Sequence, residues 1–222
     1  MRLDAATFLL QWSSGGLAFL WFTLRSKEIS LGYSKLLRAT FGVLAALGVA
    51  AGFYFDRILI REVAGVAVAV VALATFARRE SRTDLIAVAI GAIGLIGSVV
   101  ANSGGVVDLL RVLVGAAFLG AVTDLMLLGH WYLVQPGMTR KLLNELTNAV
   151  LFIWPLEVVV MILPTGMISV LNGSIDDGWN GILGYFWLGC ATLTGVLVVF
   201  TRAALKERSY SAVMAATGLS YL

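Results

Sequence analysis

Long apolar runs alternate with short polar connections along the whole chain. Crossing the hydrocarbon core of a membrane takes about 20 apolar residues in an α-helix. The runs of about this length, and a shorter one after them, are residues 5–24, 39–55, 58–76, 85–101, 106–128, 147–171, 181–200 and 210–222. The pattern therefore predicts an all-α bundle of about eight membrane-spanning helices. These helices would form one integral membrane domain over residues 1–222.

Composition supports a lipid environment for most of the chain. Hydrophobic residues make up 59% of the sequence and charged residues 13%, whereas soluble domains are about half apolar and a quarter charged. The net charge of +3 would suggest nucleic acid in a soluble protein. Here the basic residues stand at the ends of apolar runs, where membrane topology accounts for them. We therefore expect the lipid bilayer as partner, and no nucleic acid.

The distribution of basic residues predicts the orientation of the chain. Twelve of the sixteen Lys and Arg residues lie in alternate connections, namely Arg25, Lys27, Lys35, Arg38, Arg78, Arg79, Arg82, Arg140, Lys141, Arg202, Lys206 and Arg208. The opposite side has only Arg2, Arg57, Arg61 and Arg111, in the N-terminus, a connection or the outer ends of spans. Because cytoplasmic connections are enriched in Lys and Arg, the first group should be cytoplasmic and the N-terminus outside. The expected location is the inner membrane of a prokaryote.

Two pairs of similar segments suggest an internal repeat. Residues 32–37 (GYSKLL) resemble 137–143 (GMTRKLL), and residues 77–80 (ARRE) resemble 204–207 (ALKE). The implied unit is four helices used twice in the same orientation, with halves 1–104 and 105–222. The alternative is that basic connections look alike because the same membrane physics shapes them.

Some sequence features predict how the helices pack. Gly48 and Gly52 form a GxxxG pair, and Gly91, Gly94 and Gly97 recur along one helix face. Since lipid tails are as apolar as Leu, close approach through such small residues must hold the bundle together.

The segments 29–38 and 140–146 mix apolar and charged residues, and we expect them to be short amphipathic helices in the headgroup plane.

Two carboxyl groups fall inside predicted spans away from their outer ends, where a charge is costly and is usually kept for a reason. Asp124 lies in the cytoplasmic half of the fifth span, and Glu157 lies near the middle of the sixth. Pro155 removes a backbone donor close to Glu157. We expect Glu157 to be neutral and the two carboxyls to face each other or a shared cavity, as a proton site. The structural alternative is a protonated carboxyl hydrogen-bonded to a neighbouring helix.

The segment 129–136 (GHWYLVQP) concentrates polar and aromatic residues where the fifth span leaves the membrane. His130 is the only histidine in the chain, and it lies six residues beyond Asp124. With Trp131 and Tyr132 in support, it would line a quinone headgroup pocket and pass protons to or from Asp124. The structural alternative is a wet histidine at a helix end, beside an interfacial aromatic belt.

Several cofactors are excluded by single residue types. A retinal Schiff base needs a Lys within a span, but Lys27, Lys35, Lys141 and Lys206 all lie in connections. Haem held by two histidines and iron–sulfur ligation need more His or Cys than the one of each present. No metal site and no self-contained catalytic motif is predicted.

Our leading hypothesis is a membrane subunit of a larger energy-transducing or electron-transfer complex, with a proton or quinone site around Asp124, His130 and Glu157. Two four-helix units without soluble domains are similar in architecture to the quinone-interacting membrane subunits of respiratory complexes. A second hypothesis is a small-solute or proton-coupled transporter with its site at the interrupted sixth span. A third is a structural or assembly subunit.

Overall fold

The computed structural model describes residues 4–78, 82–163, 166–176, 178–179, 181–207, 209 and 218. The elements in this part of the chain are all α-helices. They are α1 (Ala5–Leu24), α2 (Leu31–Phe55), α3 (Leu59–Ala74), α4 (Arg82–Ala101), α5 (Val106–Val134), α6 (Lys141–Ile162), α7 (Gly166–Leu171) and α8 (Ile182–Ala204). The predicted all-α class is confirmed.

Five of these helices, α2, α4, α5, α6 and α8, are long and apolar enough to cross a membrane. They indicate a multi-pass membrane protein. Of the other two long helices, α3 has 16 residues and α1 carries Gln11, Ser13 and Ser14. The count of eight spans stays a prediction. Its last member, 210–222, lies outside the described residues apart from Gly218.

The predicted sixth span, 147–171, is not one continuous helix. Helix α6 ends at Ile162, and the short α7 begins at Gly166. Leu163 has the extended backbone (φ −76°, ψ 149°) that a residue before proline prefers, because the ring of Pro164 disfavours the helical conformation there. Proline thus ends the helix earlier than the hydrophobic pattern alone predicted.

The prediction of amphipathic helices in the headgroup plane is wrong. Residues 31–38 form the first turns of α2, and residues 141–146 form the first turns of α6. One face of each segment is fully buried in the protein core, namely Tyr33 and Leu37 in the first and Leu143 and Leu146 in the second, whereas Leu36 is exposed. Packing against the other helices takes the place of the lipid interface.

Helix α1 lies at the centre of the bundle, in contact with α2, α4 and α5. Helices α1, α3, α5 and α8 run in one direction, and α2, α4 and α6 run back. Asp4 marks the end where α1 begins, and its carboxylate pairs with Arg61 at the start of α3. We call this the Asp4 end. Arg38 in the early turns of α2 marks the opposite end, where it pairs with Asp84 of α4, and we call that the Arg38 end.

Helices α1 and α5 are parallel neighbours that touch backbone to backbone. A Cβ placed on Gly15 would lie 1.7 Å from the carbonyl oxygen of Ala116, and one on Gly120 would lie 2.2 Å from the carbonyl group of Gly15. Only glycine permits such an approach. The parallel arrangement of α1 and α5 is the one a tandem repeat requires, and the halves 1–104 and 105–222 stay a prediction.

The predicted glycine faces are packing faces. A Cβ on Gly91 would lie 2.0 Å from Oγ of Ser14, one on Gly94 would lie 2.5 Å from Ala64, and one on Gly97 would lie 2.5 Å from Ile60. Gly48 packs closely on α1, where a Cβ would lie 3.2 Å from Leu9. These glycines bring α4 against α1 and α3, and α2 against α1.

Ion pairs link helices at both ends of the group α1–α4. At the Arg38 end, Arg38 donates to both carboxylate oxygens of Asp84 (2.9 and 2.8 Å) and to the carbonyl oxygen of Thr75 (2.9 Å). At the Asp4 end, Arg61 bridges Glu62 (2.7 Å) and Asp4 (2.6 Å). Both guanidinium groups are buried, as are Asp84 and Glu62, whereas Asp4 is partly exposed. Removal of Asp84 or Glu62 would therefore leave a costly buried charge without its partner.

We predict that Gly15→Ala strongly destabilises the fold, by about 1 to 3 kcal/mol, because the added Cβ collides with backbone that cannot rotate away. Gly189→Ala on α8 is the matched control, since a Cβ there meets nothing within 4 Å. Thermal unfolding in detergent measures both variants. Equal melting temperatures for the two would contradict the backbone contact of α1 with α5.

Candidate functional site

Glu157 lies in a cleft between α5, α6 and α8. On α6, Trp154 shares the helix face of Glu157, because residues three positions apart are neighbours, and the adjacent Val158 also lines the cleft. The cleft has a volume of about 200 Å³. Its lining is completed by Phe118 of α5 and by four residues of α8, Trp187, Cys190, Ala191 and Thr194.

A single tryptophan joins α6 to α8 beside this cleft. The indole N–H of Trp154 donates to the carbonyl oxygen of Ala191 (2.8 Å). The ring lies flat against Gly195, where a Cβ would come within 2.6 Å of it. Around this joint α8 is sparsely covered by the rest of the described chain. The cleft is therefore a gap beside Trp154, between α6 and a helix that the described residues cover only in part.

The carboxyl group of Glu157 forms no ion pair with the described part of the chain. Its Oε2 atom is buried and accepts or donates no hydrogen bond among the described residues. Its Oε1 atom lies beside Gly115 of α5, 3.7 Å from where a Cβ would stand. An ionised carboxylate in such surroundings would pay a large desolvation cost. We therefore expect Glu157 to be protonated.

Asp124 is enclosed by α1 and α2. It is fully buried, its Oδ1 atom lacks a partner among the described residues, and Oδ2 lies 3.3 Å from the Thr23 hydroxyl. That hydroxyl has one proton and a closer acceptor, the carbonyl oxygen of Phe19 at 2.5 Å. Tyr33 donates to the backbone carbonyl of Asp124 (3.3 Å) and not to its carboxyl group. Weak hydrogen bonding to the carboxyl favours its neutral form.

The two carboxyls lie at different levels of the bundle. The Glu157 carboxyl is beside Gly115, and Asp124 is nine residues further along α5, which amounts to about 14 Å of helix. Neither hydrogen-bonds to the other. Glu157 is in the half towards the Asp4 end, and Asp124 is in the half towards the Arg38 end. The structure does not bring them into one cavity.

His130 and its aromatic neighbours belong to the Arg38 end. The His130 ring is exposed, and its Nδ1 atom lies 2.8 Å from the carbonyl oxygen of Met126. Trp131 packs edge to face on Tyr33, with ring centroids 5.6 Å apart. The Tyr132 hydroxyl donates to the carbonyl oxygen of Thr139. Trp131 and Tyr132 hold the 135–140 connection against α2 and α5, and none of the three residues contacts Glu157.

Pro155 and the interrupted helix also lie away from the cleft. Pro155 is exposed, and a separation of two residues turns it about 200° from Glu157 around the helix. At the break after Ile162, Arg111 of α5 donates to the carbonyl oxygens of Val160 (2.8 Å) and Leu163. The guanidinium group thus caps the end of α6, in the place that a bound cation would need.

The sequence did not single out the residues that surround Glu157. Trp154 has a local signal, because it precedes Glu157 by three residues and so shares its face. Trp187 and Cys190 have none, since they reach the cleft only through the packing of α8. Gln11 of α1 was not predicted as a site residue, yet its amide lies beside Gly115 and donates to the carbonyl oxygen of Val112 (2.8 Å).

Comparison of the chain with protein families, with curated proteins and with solved structures finds no match.

We predict that a lipid-soluble carbodiimide, which attacks protonated carboxyl groups, modifies Glu157 and spares Asp124. Glu157 opens into the cleft, whereas Asp124 is enclosed on all sides. Mass spectrometry of peptides from the labelled membrane protein locates the adduct, and Glu157→Gln supplies the unlabelled control. Preferential modification of Asp124 would show that the accessible carboxyl has been wrongly assigned.

Proposed function

We propose that the chain is an integral subunit of a larger energy-transducing or electron-transfer assembly in the inner membrane of a prokaryote. Within it, Glu157 and its cleft form a proton or quinone site. The proposal narrows the predicted site to Glu157, and assigns Asp124 to the packing of α5 against α1. His130, Trp131, Tyr132 and Pro155 lie outside the cleft and are assigned no part in it.

One observation carries the proposal, a carboxyl with an unpaired buried oxygen in an aromatic cleft. A quinone ring is flat and apolar and has carbonyl oxygens at its edge. Trp154, Trp187 and Phe118 offer faces and edges for such a ring, and a protonated Glu157 can donate to its carbonyl oxygen. Reduction of a quinone also consumes protons, which a neutral carboxyl supplies.

Two features favour a subunit of a complex: the chain has few ligands for a redox centre, and one of its helices exposes an apolar surface. With one histidine and one cysteine, it has few ligands for a redox centre, so electrons would come from a partner subunit. Apolar side chains are exposed along α8, including Tyr185, Phe186, Val199 and Phe200. Lipid or partner helices would cover this face.

The eight-span topology belongs to the same proposal. Helices α1 to α6 and α8 would supply seven spans, and residues 210–222 the eighth. The connections at the Arg38 end hold most of the basic residues, so that end would face the cytoplasm and both termini would be outside.

Two other functions are alternatives. A small-solute or proton-coupled transporter would use a discontinuous helix as its binding site, but Arg111 fills that position at the end of α6. A structural or assembly subunit would need neither the cleft nor a titratable Glu157. Co-purification of partner proteins in mild detergent would favour a subunit over a stand-alone transporter.

We expect short-chain quinones to bind the purified protein in nanodiscs and to quench its tryptophan fluorescence saturably. Glu157→Gln should weaken this binding about tenfold, since loss of one hydrogen bond to the ring is worth about 1.4 kcal/mol. Glu145→Gln is the matched control on the same helix, because Glu145 is partly exposed, lies 3.9 Å from Lys141 and does not line the cleft.

Quinone binding that is unchanged in Glu157→Gln would exclude Glu157 from the binding site. If the native assembly carrying Glu157→Gln also shows unchanged activity, the chain is better described as a structural or assembly subunit.

The topology makes a separate prediction. In a Cys190→Ser background, Lys141→Cys and Asp176→Cys each place one thiol at opposite ends of the bundle, since Cys190 is the only native cysteine. A membrane-impermeant maleimide should label position 176 in intact cells, and position 141 only after permeabilisation. Labelling of both positions from the same side would contradict the proposed topology.

A further inference from the structure

Helix α1 carries a stripe of buried polar side chains that leads from the Asp4 end into the bundle. Asp4, Thr7, Gln11 and Ser14 follow one another at spacings of three, four and three residues, which place them on one helix face. Thr7, Gln11 and Ser14 are almost completely buried. We call these four residues the α1 stripe.

The outer part of the stripe is a connected polar cluster. Arg61 donates to Asp4 (2.6 Å) and to the Thr7 hydroxyl (3.1 Å), and that hydroxyl lies 2.9 Å from Oγ of Ser98. Asp4 lines an open cleft of about 260 Å³ together with Asp56 and Arg61. Arg61 is also paired with Glu62, so one guanidinium group serves two carboxylates at this cleft.

The inner part of the stripe approaches Glu157 through Gly115. The missing side chain of Gly115 leaves a window in α5, where a Cβ would lie 2.8 Å from Nε2 of Gln11 and 3.7 Å from Oε1 of Glu157. The amide and the carboxyl thus flank the same glycine, within the reach of one bridging water. Ser14, the next residue of the stripe, is buried with no partner among the described residues.

We infer that the α1 stripe is the proton-access path of Glu157, which opens at the Asp4 cleft and passes Thr7, Gln11 and the Gly115 window. The inference rests on the proposed function, because a proton site inside a membrane must exchange with one aqueous phase. From Asp4 to Gln11 the path covers seven residues of α1, or about 10 Å. No comparable polar stripe joins Glu157 to the Arg38 end among the described residues, and Asp124 is separated from it by about 14 Å of helix.

Few charged or titratable groups face Glu157 from the helices that pack around it. Helix α5 presents Arg111, which is paired with Asp108 at 3.4 Å and caps α6. Helix α8 presents Cys190 in the cleft, and α1 presents the uncharged Gln11. The proton that reaches Glu157 therefore meets no unpaired basic side chain on the described part of this route.

Sided carbodiimide labelling tests the path. Sealed membrane vesicles of both orientations are labelled while only the external pH is varied, and the rate of Glu157 modification is measured by mass spectrometry. We expect a higher external pH to slow labelling where the Asp4 end faces outward, and to leave the rate unchanged in vesicles of the opposite orientation. Only the protonated carboxyl reacts, so the rate reports which aqueous phase supplies the proton.

Variants of the stripe make the test specific. Gln11→Leu should slow the response of labelling to a pH jump on the order of tenfold or more, as expected for loss of a proton relay. Gly115→Ala, which fills the window without removing the amide, should slow it as well. Ser13→Ala is the matched control, because Ser13 is buried on the same helix but donates to Phe41 of α2 (2.7 Å).

Labelling that follows the pH at the Arg38 end, or that responds equally fast in Gln11→Leu, Gly115→Ala and the native protein, would overturn the path and leave the site intact. Absence of Glu157 labelling at every pH would overturn the site and the path together. Failure of quinones to bind would overturn the quinone proposal and leave the path standing on the labelling result.

Discussion

The backbone contact between α1 and α5 is the constraint on which the rest of the structure depends. With Gly15 and Gly120 at the crossing, the two helices come closer than any side chain would permit. In lipid, helices gain little from burying apolar surface against each other, so such close packing must supply much of the association energy. Helix α1 is thereby held at the centre, surrounded by protein on most of its faces.

That central position explains why α1 can be polar. Gln11, Ser13 and Thr23 would be costly against lipid, but inside the bundle they donate to backbone carbonyl groups of α5, α2 and α1 itself. The same enclosure keeps Asp124 away from any cleft. By contrast, much of α8 is exposed, and Glu157 is accessible through the gap beside Trp154, between α6 and α8. Asp124 is therefore enclosed by closely packed helices, whereas Glu157 faces an open cleft beside the partly exposed α8.

Hydrophobic length and proline were sufficient to predict much of the fold. The bounds predicted for the first span coincide with α1. The sixth span was predicted to be interrupted, but Pro155 lies within the continuous α6 and the break follows Ile162. The first turns of α2 and α6 were missed, because an amphipathic pattern does not distinguish headgroups from neighbouring helices. The Arg38–Asp84 pair was missed because its partners are 46 residues apart. For the site, Glu157 was found from its cost in lipid, whereas the grouping with Asp124 and His130 needed helix rotations that sequence spacing does not supply.

The central claim is that Glu157 is a neutral, proton-exchanging carboxyl inside the membrane. Infrared difference spectroscopy of the native protein against Glu157→Gln tests it most directly, because protonated and ionised carboxyl groups absorb in separate regions. If Glu157 is neutral, the variant should lose a protonated-carboxyl band at neutral pH, and this band should shift in heavy water because its proton exchanges. Loss of a carboxylate band instead would show that Glu157 is ionised and paired, and would contradict the account.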